Sequence, residues 1–295
     1  MKIAVSGATG FIGRHVVAEL ERLSISPVLI CRPLTKIPPA LSKHIIVPID
    51  IKDNPANFFE LLGRPDALIH LAWGGLPNYK SPHHLEEEMP AHYRFLKGLI
   101  TSGLKHLTVA GTCLEYGMQS GPLNEDLPPR PGNSYAQAKN ELRGQLLSFK
   151  AKQPFNFVWA RLFYMYGEGQ SESSLRSQLQ KAVARGLPTF NMSGGEQLRD
   201  YLPVTVVAKQ LVLLARKGED AGVINVCSGV PISVRHLVEG WIQENNWSIR
   251  LNLGHYPYLD YEPMGFWGDA SKLDRIASEL SAAPSGSETE MRPAP

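Results

Sequence analysis

Short apolar runs alternate along this chain with longer segments in which apolar residues return every three to four positions. Ile3-Ala4-Val5, Val28-Leu29-Ile30, Ile45-Ile46-Val47, Ala67-Leu68-Ile69 and Leu107-Thr108-Val109 are largely continuous, as strands buried on both faces of a sheet are. After the first run, Val16, Val17, Leu20 and Leu23 recur at helix spacing. Strand–helix–strand order predicts an α/β fold, a doubly wound parallel sheet of the Rossmann type. Phe157 to Phe163 reads as a sixth strand. Beyond Gly167 the alternation weakens, and Leu175, Leu179 and Val183 keep helix spacing. The expected organisation is a Rossmann domain over 1–166, to which the chain returns near 203–228, and a smaller C-terminal α/β lobe over 167–280. Residues 281–295, rich in Ser, Ala, Pro and Glu, are expected to form a disordered tail.

The first strand meets the first helix through Gly7-Ala8-Thr9-Gly10-Phe11-Ile12-Gly13. A strand that turns on glycines into a helix gathers backbone N–H groups and the positive helix end at one point, where a pyrophosphate can sit without a cationic side chain. The spacing is Gly-x-x-Gly-x-x-Gly, which a glycine-rich turn in an unrelated parallel sheet would also show. About 20 residues past such glycines an NAD-binding fold places an acid on the ribose hydroxyls. Cys31-Arg32 stands there instead. A guanidinium pairs with a 2′-phosphate where a carboxylate would repel it, which favours NADP(H) over NAD(H). The alternative is a solvated Arg32 that leaves either cofactor possible.

A second constellation follows the fifth strand. Val109 to Gly117 ends where open α/β sheets collect their ligands. After the Pro- and Gly-rich stretch 121–132, Ser134 is placed to cap a helix that opens Tyr135-Ala136-Gln137-Ala138-Lys139. Residues four apart share a helix face, so Tyr135 and Lys139 project together. A free tyrosine, with a pKa near ~10, is a poor proton carrier at neutral pH. An adjacent ammonium favours the phenolate and lowers that pKa.

The glycine run, the Tyr-x-x-x-Lys pair and the upstream Thr112 together resemble the extended short-chain dehydrogenase/reductase superfamily, the NAD-dependent epimerase/dehydratase family, from Met1 to about Asp269. The resemblance implies NAD(P) held by Gly7, Thr9, Gly10, Phe11, Ile12 and Gly13, with Asp50 and Ile51 meeting the adenine. For Asp50 a simple turn or helix cap is the competing reading. Leu71, Ala72 and Trp73 would pass beneath the ribose and pyrophosphate, with Trp73 also walling the substrate cleft. His70, just before them, is expected to be a hydrogen-bonded core residue. The catalytic set would be Thr112, Tyr135 and Lys139: Thr112 holds the substrate oxygen while Tyr135 carries the proton and hydride passes to or from nicotinamide. Tyr135 and Lys139 would also contact the cofactor. Tyr164 replaces an Asn in the family's Arg-x-x-Asn-x-Tyr-Gly, so the substrate contact made there is altered. Arg199 would grip the substrate diphosphate, unless it only pairs with Asp200, and Arg235, on an expected small strand, would add a second phosphate contact. Tyr93, Leu96, Leu99 and Ile100 form an apolar stripe that in the family pairs two subunits, implying a homodimer.

Residues beside Thr112 narrow the reaction. Family dehydratases carry Asp-Glu directly after the Thr, and here Cys113-Leu114 stand there. Glu115 falls one position too late to inherit the role. Simple reduction, oxidation or epimerisation remains. The aromatic stretches Tyr256-Pro257-Tyr258 and Tyr261 to Asp269 either stack on a ligand or seal the lobe. By resemblance they point to reduction of a nucleotide-linked 4-keto-6-deoxyhexose, dTDP-linked by expectation and destined for a surface polysaccharide such as lipopolysaccharide. The rivals are an epimerase that retains its NAD(P), and a non-catalytic NADP sensor on the same fold.

Composition removes other classes. The chain has 295 residues, 43% hydrophobic and 20% charged, with formal charge +2, an ordinary globular balance without the basic cluster of nucleic-acid binders. No apolar run approaches the ~20 residues of a membrane span, and no leader pattern is expected. Cys31, Cys113 and Cys227 lie too far apart for a zinc motif and cannot all pair, which fits a reducing cytoplasm. His83, His84 and Glu86-Glu87-Glu88 read as a solvated helix start rather than a metal site.

Overall fold

The computed structural model describes residues 1–53, 57–258 and 262–282. Its centre is one parallel sheet of seven strands: β1 (Ile3–Ser6), β2 (Val28–Cys31), β3 (Ile45–Pro48), β4 (Ala67–His70), β5 (His106–Thr112), β6 (Asn156–Leu162) and β7 (Gly222–Val226). Their spatial order is β7-β6-β5-β4-β1-β2-β3. The order reverses between β1 and β4, and such a switch point opens a crevice at the carboxyl ends of the strands.

Alternate side chains of the strands feed two cores. On one face Ile3 and Val5 pack with Val16, Val17 and Leu20 of α1 (Phe11–Arg22) and with Val207 and Leu211 of α4 (Val204–Lys217). On the other, Ala4, Val28 and Ile30 meet Phe95, Leu96 and Leu99 of α2 (Met89–Thr101) and Ala138, Leu142 and Leu146 of α3 (Ser134–Lys150). Full burial stabilises by ~1.5–3 kcal/mol per large aliphatic side chain, so this double layer fixes the strand ends that carry the site. Leu96, Leu99 and Ile100 therefore face the chain's own core. Of the stripe expected at a subunit interface, only Tyr93 stays half-exposed.

Two end details differ from expectation. The cap of α3 is Asn133, which is extended (φ −146°, ψ 162°) and accepts the Ala136 N–H at 2.9 Å. Ser134 is already helical, and its hydroxyl donates to the Lys80 carbonyl at 3.2 Å. The small strand expected through Arg235 is only Ile232–Ser233, because Ser233 accepts the His236 N–H and starts the helix Val234–Glu244. The lobe seals around Phe190, Met192, Leu237 and Trp241. A four-stranded sheet of Gly121–Leu123, Gly265–Gly268, Leu198–Arg199 and Ile232–Ser233 links it to the main body. Phe266 is buried against Phe163 and Tyr164, whereas Tyr256 and Tyr258 are exposed. Tyr261 lies outside the described residues, as does the expected tail from 283 onward; the last helix, Ser271–Ala282, runs two residues into that tail's assigned range.

Candidate active site

A cavity of about 640 Å³ opens at the switch point, within the size range of small-molecule sites. Gly7, Thr9 and Gly10 form one wall, Arg32, Asp50 and Ile51 another, and Leu71, Ala72 and Trp73 the floor. Gly7 adopts φ +71°, and a Cβ there would stand 2.8 Å from the Ala72 nitrogen. A Cβ on Gly13 would overlap the Gly7 carbonyl and come within 2.7 Å of the Ala8 Cα. The glycines thus let strand, turn and helix close on one another. Phe11, Ile12 and Gly13 do not line the cavity; they build the first turn of α1 behind it. That helix has no side-chain cap and no acid in its first turn, so the N–H groups at its start remain available for an anion. This donor set fits a pyrophosphate. Asp50 also makes the turn expected of it in the simpler reading, its Oδ1 accepting the Lys52 N–H at 2.9 Å.

A buried hydrogen-bond chain holds the cavity floor. Ser6 Oγ accepts the Leu71 N–H at 3.2 Å, so its own proton goes to His70 Nδ1 at 2.8 Å. His70 then donates from Nε2 to His92 Nδ1 at 2.7 Å, and His92 from Nε2 to Glu88 Oε2 at 3.2 Å. Glu88 also accepts the Gly74 N–H at 2.7 Å. Burial drives both histidines down, toward the neutral form. For Glu88, burial pushes upward, but the His92 and Gly74 hydrogen bonds outweigh it and hold the carboxyl well below its usual range. His70 is the core histidine the sequence suggested. Residues 83–88 are not simply a solvated helix start, since His84 and Glu88 are buried. The spacing of four between Glu88 and His92, which places them on one helix face, was the signal that could have shown this and went unread.

Thr112 ends β5, and Tyr135 and Lys139 rise from the first turns of α3 toward it. The Thr112 side chain lies beside the Tyr135 phenol and favours its ionised form, against the larger effect of burial. Tyr135 is 8% exposed and Lys139 2%. Lys139 Nζ donates to the Ala110 carbonyl at 2.9 Å and lies 3.9 Å from the Trp73 ring centre, but 5.9 Å from that of Tyr135. Any acidification of the tyrosine by the lysine is outweighed by burial in this arrangement. Burial pushes the Tyr135 phenol up, with Tyr79 and Glu115 adding to it. Burial likewise pulls the Lys139 ammonium down to about 7, against the opposing charges of Glu115 and Glu88. Tyr135 is therefore a neutral phenol, a proton donor rather than a base.

Neither Tyr135 nor Lys139 lines the cavity, because Trp73 stands at the boundary. Its indole stacks on His92 at 4.6 Å, donates to His84 Nδ1 at 3.2 Å and meets the Tyr135 ring edge-on at 6.0 Å. The Tyr135 N–H in turn donates to the Tyr79 carbonyl at 3.0 Å. Trp73 is thus a wall between the cavity and the helix that carries Tyr135 and Lys139, and Tyr79 and His84 complete the surround of Tyr135.

The region expected to face substrate is aromatic. Tyr164 faces Tyr201 at 5.3 Å, and burial pushes its phenol up. Arg199 is buried and donates to Glu262 at 2.9 Å and to the Pro263 carbonyl at 2.8 Å. It does not pair with Asp200, which instead accepts the Ser228 N–H and O–H, each at 2.7 Å. Arg235 is an exposed side chain bonded to Glu239 at 2.7 Å.

Residues 3–227 match the model of the NAD dependent epimerase/dehydratase family. The chain belongs to this family. It is accordingly an NAD(P)-dependent enzyme of the extended short-chain dehydrogenase/reductase superfamily. It is 32% identical over 270 residues to the dTDP-6-deoxy-L-talose 4-dehydrogenase (NAD(+)) of Aggregatibacter actinomycetemcomitans, covering 91% of this chain and 99% of that one. It is 27% identical to the GDP-6-deoxy-D-mannose reductase of Pseudomonas aeruginosa, covering 81% and 78%. Among solved structures it resembles MoeE5 in complex with UDP-glucuronic acid and NAD, with TM-score 0.77, 26% identity, and 94% and 93% coverage. The fold is also that of a UDP-N-acetylglucosamine 4-epimerase from Methanobrevibacter ruminantium, with TM-score 0.82, 24% identity, and 94% and 91% coverage.

Proposed function

We propose that this family member reduces the 4-keto group of a nucleotide-activated, dTDP-linked 4-keto-6-deoxyhexose with NADPH. The observation that carries the reading is the neutral, buried Tyr135 phenol beside Thr112, with Cys113 and Leu114 where a dehydratase needs two acids. Burial pushes the Cys113 thiol well up, so it offers no base. The relatives named for 4-dehydrogenation of a 6-deoxytalose and for a 6-deoxymannose reductase support a single redox step at one carbon. Arg32 in the cavity wall supports NADPH.

Bound NADPH supplies the hydride. Thr112 and Tyr135 hold the carbonyl oxygen from two sides, polarising it, and Tyr135 gives that oxygen its phenolic proton as the carbon accepts the hydride. Lys139, an ammonium near neutral pH, stabilises the phenolate that remains until solvent returns the proton. Trp73 and Tyr79 exclude water from the transfer. Arg199 and Tyr164 receive the diphosphate side of the substrate, with Arg199 exchanging Glu262 for phosphate oxygens. The subunits pair through the outer faces of α2 and α3, where Tyr93, Lys97 and the exposed Leu147 lie.

A spectrophotometric screen of 4-keto-6-deoxy nucleotide sugars tests this. NADPH is expected to be consumed in proportion to the keto-sugar, faster than NADH. Sugar conversion without net NADPH loss would identify an epimerase, and NADPH binding without turnover on any keto-sugar would identify a sensor.

A further inference from the structure

We propose that Glu115 is the positioning residue that aims the Thr112 hydroxyl at the substrate oxygen, an inference that rests on the role given to Thr112 above. Glu115 is completely buried, which for a carboxylate is unfavourable unless its lone pairs are engaged. Its Oε1 accepts the Thr112 N–H at 3.0 Å and the Trp159 Nε1–H at 2.8 Å. Its Oε2 accepts the Arg161 Nε–H at 3.0 Å, with Arg143 Nε at 3.8 Å. In return Thr112 Oγ1 accepts the Leu114 N–H at 3.2 Å. Thr112 is therefore held twice, by its backbone through Glu115 and by its hydroxyl oxygen through Leu114. With one lone pair of that oxygen engaged by an N–H, the hydroxyl has fewer orientations left, and the Tyr135 phenol lies beside it.

The holder is itself anchored. Arg161, 1% exposed, lies 4.4 Å above the Tyr116 ring, and the Tyr116 hydroxyl donates to Asn225 Oδ1 at 2.8 Å. The pull on Thr112 is thus transmitted from β6 and β7, two strands away from the cofactor cavity. Space is also tight, since a Cβ on Gly111 would come within 2.9 Å of Glu115 Oε1 and 2.8 Å of Trp159 Cε2. The carboxylate does more than neutralise Arg161: with Leu114 it closes a capping box on Thr112 at the start of the turn Cys113–Tyr116, and so fixes a residue placed against the substrate.

A double-mutant cycle decides the matter. Glu115→Gln and Thr112→Val are made singly and together, and kcat with NADPH and the keto-sugar active in the screen is measured beside NADPH affinity and melting temperature. Misplacement of a reacting group by about 1 Å costs ~100-fold, so Glu115→Gln is expected to lower kcat by roughly 10- to 100-fold while NADPH affinity changes less than about twofold. In the Thr112→Val background the same change is expected to lower kcat by less than about twofold. Should Glu115→Gln fail to fold, Glu115→Asp replaces it, keeping the charge beside Arg161 and withdrawing the oxygen from Thr112 by one methylene. The same pattern is expected. Equal losses in both backgrounds, or an unchanged kcat in the single variant, would overturn the inference while leaving the proposed reaction standing. A wild type inert on every keto-sugar would overturn the proposed reaction itself.

Discussion

Lys139 should be a residue the fold would be more stable without. Its ammonium is almost fully buried, and burial takes it from 10.5 to about 7 despite the nearby Glu115 and Glu88 charges. A difference of about 3.5 pH units corresponds to about 5 kcal/mol as an upper bound. Below pH about 7 the lysine is protonated in both folded and unfolded chains, and the folded state carries the whole cost of burying the charge. Between about 7 and 10.5 the unfolded chain still binds the proton and the folded one has released it, so stability rises with pH. Lys139→Met lacks both regimes. Against the gain stands the Ala110 carbonyl, which loses its donor at about 1–3 kcal/mol. The net expectation at pH 6 is a variant more stable by roughly 2–4 kcal/mol, and at about 2–4 °C per kcal/mol for a domain of this order its melting point should rise by roughly 4–16 °C. Differential scanning fluorimetry from pH 6 to pH 10 measures both curves, and the gap should close as pH rises. If Lys139→Met melted at or below wild type at pH 6 and the two curves ran parallel, the buried ammonium would not be the burden described. Turnover by the variant should be lost throughout.

Other perturbations separate the parts of the site. Tyr135→Phe removes the proton donor and should lower kcat by roughly 10²- to 10⁴-fold, with NADPH affinity by fluorescence titration unchanged within about twofold. Gly13→Ala drives a methyl into the Gly7–Ala8 turn; overpacking of this kind costs about 1–3 kcal/mol, and calorimetry should show weaker binding of NADPH and NADH alike together with a lower melting point. Arg32→Ala should weaken NADPH by roughly 10- to 100-fold, the worth of a charge-assisted pair, and leave NADH nearly untouched. Equal loss for both cofactors would return Arg32 to the solvated loop charge.

The fold was legible because burial on both faces writes itself as continuous apolar runs, and five of the strands in the parallel sheet carry such runs. The cavity was legible in part for a related reason: glycine turns and strand ends are local in sequence, so Gly7 and Arg32 could be placed from their neighbours, while Asp50 and Ala72 were placed by the family resemblance. What was not legible depends on partners distant in sequence. Glu115 looked like a displaced acid until Trp159 and Arg161, more than forty residues on, supplied its donors. For Arg199 the alternative to a diphosphate contact was a pair with adjacent Asp200, and that alternative fails because each side chain finds its own partners across the lobe. The stripe on α2 was read correctly as apolar and assigned to the wrong neighbour, since periodicity reports that a face is buried and not what buries it.

The position of Lys139 ties these parts together. Its charge is opposed by two carboxylates on different walls: Glu88, which holds the Gly74 end of the cofactor floor, and Glu115, which holds Thr112. Each carboxylate is fixed by donors of its own, so neither collapses onto the ammonium as a close ion pair. A direct pair would lock the lysine as a permanent cation and hide it from the tyrosine. Two carboxylates at a remove only partly offset burial, which brings the ammonium down to about 7, so that in the proposed reaction one buried group is charged beside a forming phenolate and still yields its proton near neutral pH. The same geometry explains why Trp73 lies over the ammonium: an aromatic face offers it attraction without a second proton acceptor.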